Sequence, residues 1–138
     1  MNFRTTISVM TLLFCCLVGS VQAQNKTSPL RSAKAILIEA HSGMMNAQAF
    51  ERELTKLPEF EAWGLSLVRK KEAADLIVQV YRKKWTTRFT ITVMTRDASE
   101  VLASCEETSL GGEIEPKLAQ CLVKILRKAK TYRASDDE

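Results

Sequence analysis

The stretch from Asp75 to Thr108 limits what this chain can fold into more than any other. It holds three short runs rich in β-branched and aromatic residues, parted by two polar turns. The runs are Leu76 to Tyr81, Arg88 to Met94, and Val101 to Thr108. In the middle run Phe89, Ile91 and Val93 alternate with Thr90 and Thr92. That period of two marks a strand with one buried face. The links, Arg82 to Thr87 and Thr95 to Glu100, are too short for a crossover, so the three strands should form an antiparallel meander.

The residues before it supply a second motif. Ala35 to Ala40 is an apolar run that reads as a strand, closed by His41-Ser42-Gly43. Asn46 is a good N-cap, and Ala47, Phe50, Leu54 and Leu57 then recur at helical spacing. Glu51, Arg52, Glu53 and Lys56 are expected on the solvent side. Pro58 should break the helix, because it lacks an N–H and restricts Leu57. Pro58 to Trp63 then makes a further turn, closed by Gly64 at C′. Phe60 and Trp63 should pack together there, with Trp63 largely buried. Leu65 to Val68 is a second strand, parallel to the first through a right-handed crossover. Arg69 to Ala74 is a charged connector.

After the meander, Leu110-Gly111-Gly112 ends the sheet and a last helix follows. Glu113 and Glu115 suit the positive end of its dipole, and Pro116 is tolerated in its first turn. Leu118, Cys121, Leu122, Ile125, Leu126 and Ala129 form its apolar face. The expectation is a two-layer α+β domain in the order β-α-β-β-β-β-α, with a mixed sheet and both helices on one face. The pleat places Ile36, Ile38, Leu76, Val78, Val80, Phe89, Ile91, Val93, Val101, Ala103 and Cys105 toward the helices. It places Ile77, Gln79, Tyr81, Thr90, Thr92, Met94, Ser104 and Glu106 away from them.

The N-terminus reads as a targeting signal. Arg4 precedes a mostly apolar run, Ile7 to Val18, which is short for a membrane span. Val21-Gln22-Ala23 has the small-x-small form of a cleavage site, so residues 1–23 are expected to be removed. The rival readings are an uncleaved anchor or a lipoprotein modified on Cys15 or Cys16, the latter disfavoured because the bulky Phe14 precedes Cys15. Of 138 residues, 115 then remain, enough for one domain with a full core. Residues 24–33 are expected to be a flexible lead-in, 34–130 the domain and 131–138 a frayed tail. The mature chain should be periplasmic or secreted, with no transmembrane segment.

Glu59-Phe60-x-x-Trp63-Gly64-Leu65, then Ala74-Asp75-Leu76-Ile77-Val78, then Val101-Leu102-Ala103-Ser104, resembles a group of small exported bacterial proteins of unknown function. The layout is similar to the amino-terminal domain of the periplasmic protein TolB, where a strand opened by Ala-Asp also leads into a meander and a closing helix. The resemblance covers roughly Ala35 to Leu126 and implies an α+β envelope module. No β-propeller is expected after this domain, so none of TolB's partners are expected to carry over. The shared Ala-Asp is expected to serve the start of the strand rather than chemistry.

The sequence offers little catalytic material. His41, the only histidine, adjoins Ser42, but no nucleophile-elbow motif accompanies them. One histidine and two distant cysteines do not match a zinc spacing. Gly111-Gly112 matches no phosphate loop, so no cofactor is expected. With the leader gone, Cys105 and Cys121 remain. The pleat turns one toward the helix layer and the stripe turns the other toward the sheet. They form either a disulfide or two buried thiols that never meet.

The favoured function is therefore a non-enzymatic envelope module acting by protein–protein contact or self-association. Two surfaces compete for the role. One is the sheet face away from the helices, with Ile77, Tyr81, Thr90, Thr92 and Met94. The other is the basic turn of Arg82, Lys83, Lys84, Trp85 and Arg88, which suits an anionic surface. The alternatives are a small hydrolase or redox enzyme using His41 or the Cys105/Cys121 pair, and a binder of anionic surfaces through the basic turns. Removing Arg4 with the leader lowers the net charge from +4 to +3. So mild an excess disfavours a nucleic-acid partner.

Overall fold

The computed structural model describes residues 27–131. The expected leader, with its cleavage point after Ala23, lies outside those residues, as do residues 132–138 of the tail. The chain forms α1 (Thr27–Ser32), β1 (Ala35–Ala40), α2 (Ala47–Thr55), α3 (Pro58–Ala62), β2 (Ser66–Val68), a 3-10 turn (Lys71–Ala73), β3 (Leu76–Arg82), β4 (Arg88–Thr95), β5 (Val101–Thr108) and α4 (Glu115–Thr131).

The five strands make one sheet in the order β2-β1-β3-β4-β5. β1 runs parallel to both β2 and β3, and β3, β4 and β5 form the antiparallel meander. This is the expected mixed α+β sheet. Asp75 joins its two motifs. Its carboxylate accepts the backbone N–H groups of Lys34 at 2.8 Å and Ala35 at 2.9 Å. Its own N–H donates to the Ala35 carbonyl at 2.8 Å. The start of β3 is thereby bonded to the start of β1. Those two backbone bonds hold the Asp75 carboxyl below its ordinary range.

The core lies between the sheet and the helices. Phe50 and Leu54 of α2 and Leu118, Leu122 and Leu126 of α4 pack on Ile36, Leu76, Val78, Val80, Ile91 and Val93. Leu57 has an extended backbone and serves as the N-cap of α3, so Pro58 does break the helix there. Gly64 takes the left-handed conformation, φ 60°, that a C′ residue requires.

Five local expectations change. Residues 27–32, expected within a flexible lead-in, form α1, because Leu30 and Ala33 bury themselves in the core and Lys130 Nζ donates to the Arg31 carbonyl at 2.9 Å. Too few residues lay there for a helical period to be read. Val101 is exposed instead of facing the helices. The register steps from Val93 opposite Ala103 to Met94 opposite Val101, so Leu102 is a bulge residue. One extra residue sends every residue beyond it to the other face, and Leu102 packs on the core in place of Val101.

Trp63 is half-buried rather than largely buried, since its indole lies at the rim of the core with Lys130 Nζ 5.7 Å from the ring centroid. Glu51 is buried where solvent was expected, and Arg69 meets it. On α4, Ala119 and Val123 join the buried face while Ile125 is only partly covered. That helix is contacted by α1, α2 and β5, so its buried sector is wider than one stripe.

Candidate functional site

The topology gathers three loops at one end of the sheet. β1 and β3 are parallel and end together, with Ala40 beside Val80. β4 begins where β3 ends, and β5 ends where β4 begins, as Arg82 pairs with Phe89 and Arg88 with Thr108. The β1–α2 loop, the β3–β4 hairpin and the β5–α4 loop therefore share this end. Ser109 N–H donates to the Thr87 carbonyl at 2.9 Å, and Asn46 N–H to Glu115 Oε1 at 3.0 Å. Arg82 also contacts the Met44 sulfur through its guanidinium.

The hairpin tip is the most unusual part. Lys83 to Thr86 make a turn closed by Thr86 N–H to the Lys83 carbonyl at 3.2 Å. Trp85 holds its third position with φ 62°. That left-handed conformation normally selects Gly or Asn. A side chain there costs about 1–2 kcal/mol. The turn is nonetheless well tied. Lys83 N–H donates to the Arg88 carbonyl at 3.0 Å, Arg82 Nε to the Thr86 carbonyl at 2.7 Å, and Thr86 Oγ1 to the Lys83 carbonyl at 2.8 Å. The indole it holds out is 100% exposed.

Two further apolar tips stand at this end. Leu110, in the β5–α4 loop, is 85% exposed, and Met44, in the β1–α2 loop, is 67% exposed. Neither was singled out as a contact residue from the sequence. Each is a large apolar residue in a glycine-bearing loop, beside Gly111 and Gly43, and that is the signal that marks them. Behind the tip, at the hairpin base, lies a cleft of about 370 Å³. Phe89 and Ile114 are its buried apolar residues, and Met44, Arg82, Glu113 and Glu115 stand among its other walls.

The charge of the hairpin is one-sided. Arg82, Lys83, Lys84 and Arg88 fall within seven residues that contain no acid. Lys83, Lys84 and Arg88 are exposed, and Arg82 is half-buried by its bonds. The basic turn and Trp85 are thus brought to one surface.

The other expected surface is arranged differently. Ile77, Tyr81, Thr90, Thr92 and Met94 do share the face away from the helices. Ile77 and Met94 are buried, however, in an apolar row that the register continues to Leu37 and Val68 on one side and Val101 on the other. Thr90 and Thr92 are half-buried, and only Tyr81 is exposed. Tyr81 belongs to a side-chain ring. Its hydroxyl donates to Gln79 Oε1, Gln79 Nε2 donates to Glu39 Oε2 at 2.8 Å, and His41 Nε2 lies 3.7 Å from the same carboxylate oxygen. His41 also stacks on Tyr81 with ring centroids 4.9 Å apart.

His41 is thus engaged with Tyr81 and Glu39. Ser42 Oγ accepts the Met44 N–H at 3.3 Å, a local loop bond. Cys105 and Cys121 are joined as a disulfide, with Cα atoms 6.5 Å apart, tying β5 to α4. Among the described residues no group of three metal-ligating side chains converges, and no helix is long and apolar enough to cross a membrane. Comparison of the chain with models of known families, with curated protein sequences and with solved structures finds no match.

Proposed function

We propose that this protein is an exported, non-enzymatic docking module that works by contact through its hairpin end. The single observation that carries this reading is Trp85. A fully exposed indole is held in a strained backbone conformation by a dense set of turn bonds. Strain kept at a surface position points to a use for the side chain there, because solvent gains nothing from it. Leu110, Met44 and the hairpin cations extend the same surface. The open sheet face is the weaker rival, because Ile77 and Met94 are buried and offer a partner little area. Export is read from the leader-like sequence of residues 1–23.

Cell fractionation tests the reading. The mature chain should begin at Gln24 and associate with the envelope fraction. Trp85→Ala combined with Lys83→Glu and Lys84→Glu should release it, while Tyr81→Asp should not. Release by Tyr81→Asp alone would move the contact to the sheet face. Retention of every variant would remove both surfaces from consideration.

A further inference from the structure

Resting on that reading of the hairpin end, we infer that the surface it docks on is an anionic lipid bilayer. The shape of the end is the first reason. Trp85, Leu110 and Met44 are exposed tips on three separate loops. A protein partner that buried them would need recesses matched to each, since interface cores are packed as closely as protein interiors. The boundary between headgroups and acyl chains receives apolar tips of any shape. Indole rings settle at headgroup level, with aliphatic groups reaching deeper.

Charge is the second reason. Arg82, Lys83, Lys84 and Arg88 collar the indole with no acid among them. Each cation brought to an anionic membrane surface strengthens binding by roughly fivefold. Among the described residues no carboxylate pairs with Lys83, Lys84 or Arg88, so those charges are available to lipid. The acids toward this end lie behind the tip: Glu113 and Glu115 line the cleft at the hairpin base, and Glu106 and Glu107 stand on β5 opposite Thr90 and Phe89. Glu115 is further occupied by the Asn46 N–H. A few inserted side chains and a basic collar give reversible, peripheral attachment, which no spanning helix is needed to explain.

Purified mature protein should be tested on vesicles made from equal parts phosphatidylglycerol and phosphatidylcholine, and on phosphatidylcholine alone. Trp63→Phe leaves Trp85 as the only tryptophan, so fluorescence then reports the hairpin tip. The expected result is sedimentation with the anionic vesicles, weakened at least tenfold in high salt and on the neutral vesicles. Trp85 emission should shift to the blue and be quenched by lipid brominated on its acyl chains. Trp85→Ala, and separately Lys83→Glu with Lys84→Glu, should each weaken binding about tenfold while circular dichroism and the thermal melt stay near wild type.

No binding to anionic vesicles would overturn the inference, as would binding with Trp85 unshifted or binding indifferent to these variants. If hairpin variants still release the protein from envelopes while the vesicles fail, docking stands and the occupant is a protein. A concentration-dependent dimer lost on Trp85→Ala would identify a second copy instead. If envelopes and vesicles both ignore the hairpin variants, the docking reading falls as well.

Discussion

Arg69 and Glu51 meet through two parallel hydrogen bonds, Nη1 to Oε1 at 2.5 Å and Nη2 to Oε2 at 2.6 Å. Glu51 is the one charged residue among the described residues that is buried. Arg69 leaves the end of β2 and reaches back to α2, so the pair clips the edge strand to the helix layer. Removing the guanidinium leaves a buried carboxylate with no countercharge. The loss should fall between that of exposed and interior pairs, because the Arg69 side chain itself is largely in solvent. Arg69→Ala is expected to cost about 1–2 kcal/mol in a urea melt. Glu51→Gln in the same background should recover part of it, since a neutral amide is cheaper to bury.

The disulfide between Cys105 and Cys121 closes a short loop that spans the end of β5 and the start of α4. Constraining such a loop in the unfolded chain is worth about 3 kcal/mol. Reducing agent should lower the melting temperature by on the order of 10 °C for a domain of this size. Free-thiol counting on unreduced, denatured protein should find neither Cys105 nor Cys121. The Cys105→Ala, Cys121→Ala variant should melt alike with and without reductant.

Acid should loosen the junction of β1 and β3. Folding depresses the Asp75 carboxyl, chiefly through the Lys34 and Ala35 amides. A depressed carboxyl adds stability that is complete above its unfolded value, about 3.9, and is lost as pH falls through the lower folded value. Asp97, drawn down to about 2 by Thr95 and Ser99, acts in the same direction. Asp75→Ala should cost about 1 kcal/mol near neutral pH, a small figure for bonds to a charged group because solvent reaches the site. The variant should also show a shallower fall in stability below about pH 4 than the wild type.

Trp85 should be retained at a cost to the fold. Replacing it with glycine removes the Cβ that the left-handed conformation resists and adds some freedom to the unfolded chain. The balance favours the variant by about 0.5–1 kcal/mol. Trp85→Gly should therefore unfold at higher urea than wild type while failing to dock. An unchanged or lowered midpoint would mean that the indole stabilises the hairpin, and the case for a side chain kept for contact would weaken.

The sequence by itself determined the five strands, helices α2 to α4 and their connections, but not α1. The threonine alternation of β4 set its buried face, Pro58 and Gly64 set the ends of α3, and short links forced the meander. These signals act within a few residues, through backbone sterics and the period of the side chains, so they can be read without knowing what lies nearby in space. The same alternation puts Tyr81 and Met94 on the face away from the helices. Tertiary structure alone decided the rest. A one-residue bulge at Leu102 turned Val101 outward, which no period within β5 announces. Arg69 buried Glu51 across 18 positions of sequence. The row from Val68 to Val101 buried Ile77 and Met94 by neighbours on other strands. Met44, Trp85 and Leu110 came to one end only because β1 and β3 run parallel and the meander returns beside them. Burial and convergence are properties of neighbours in space, and a chain read residue by residue specifies those only once its strands have paired.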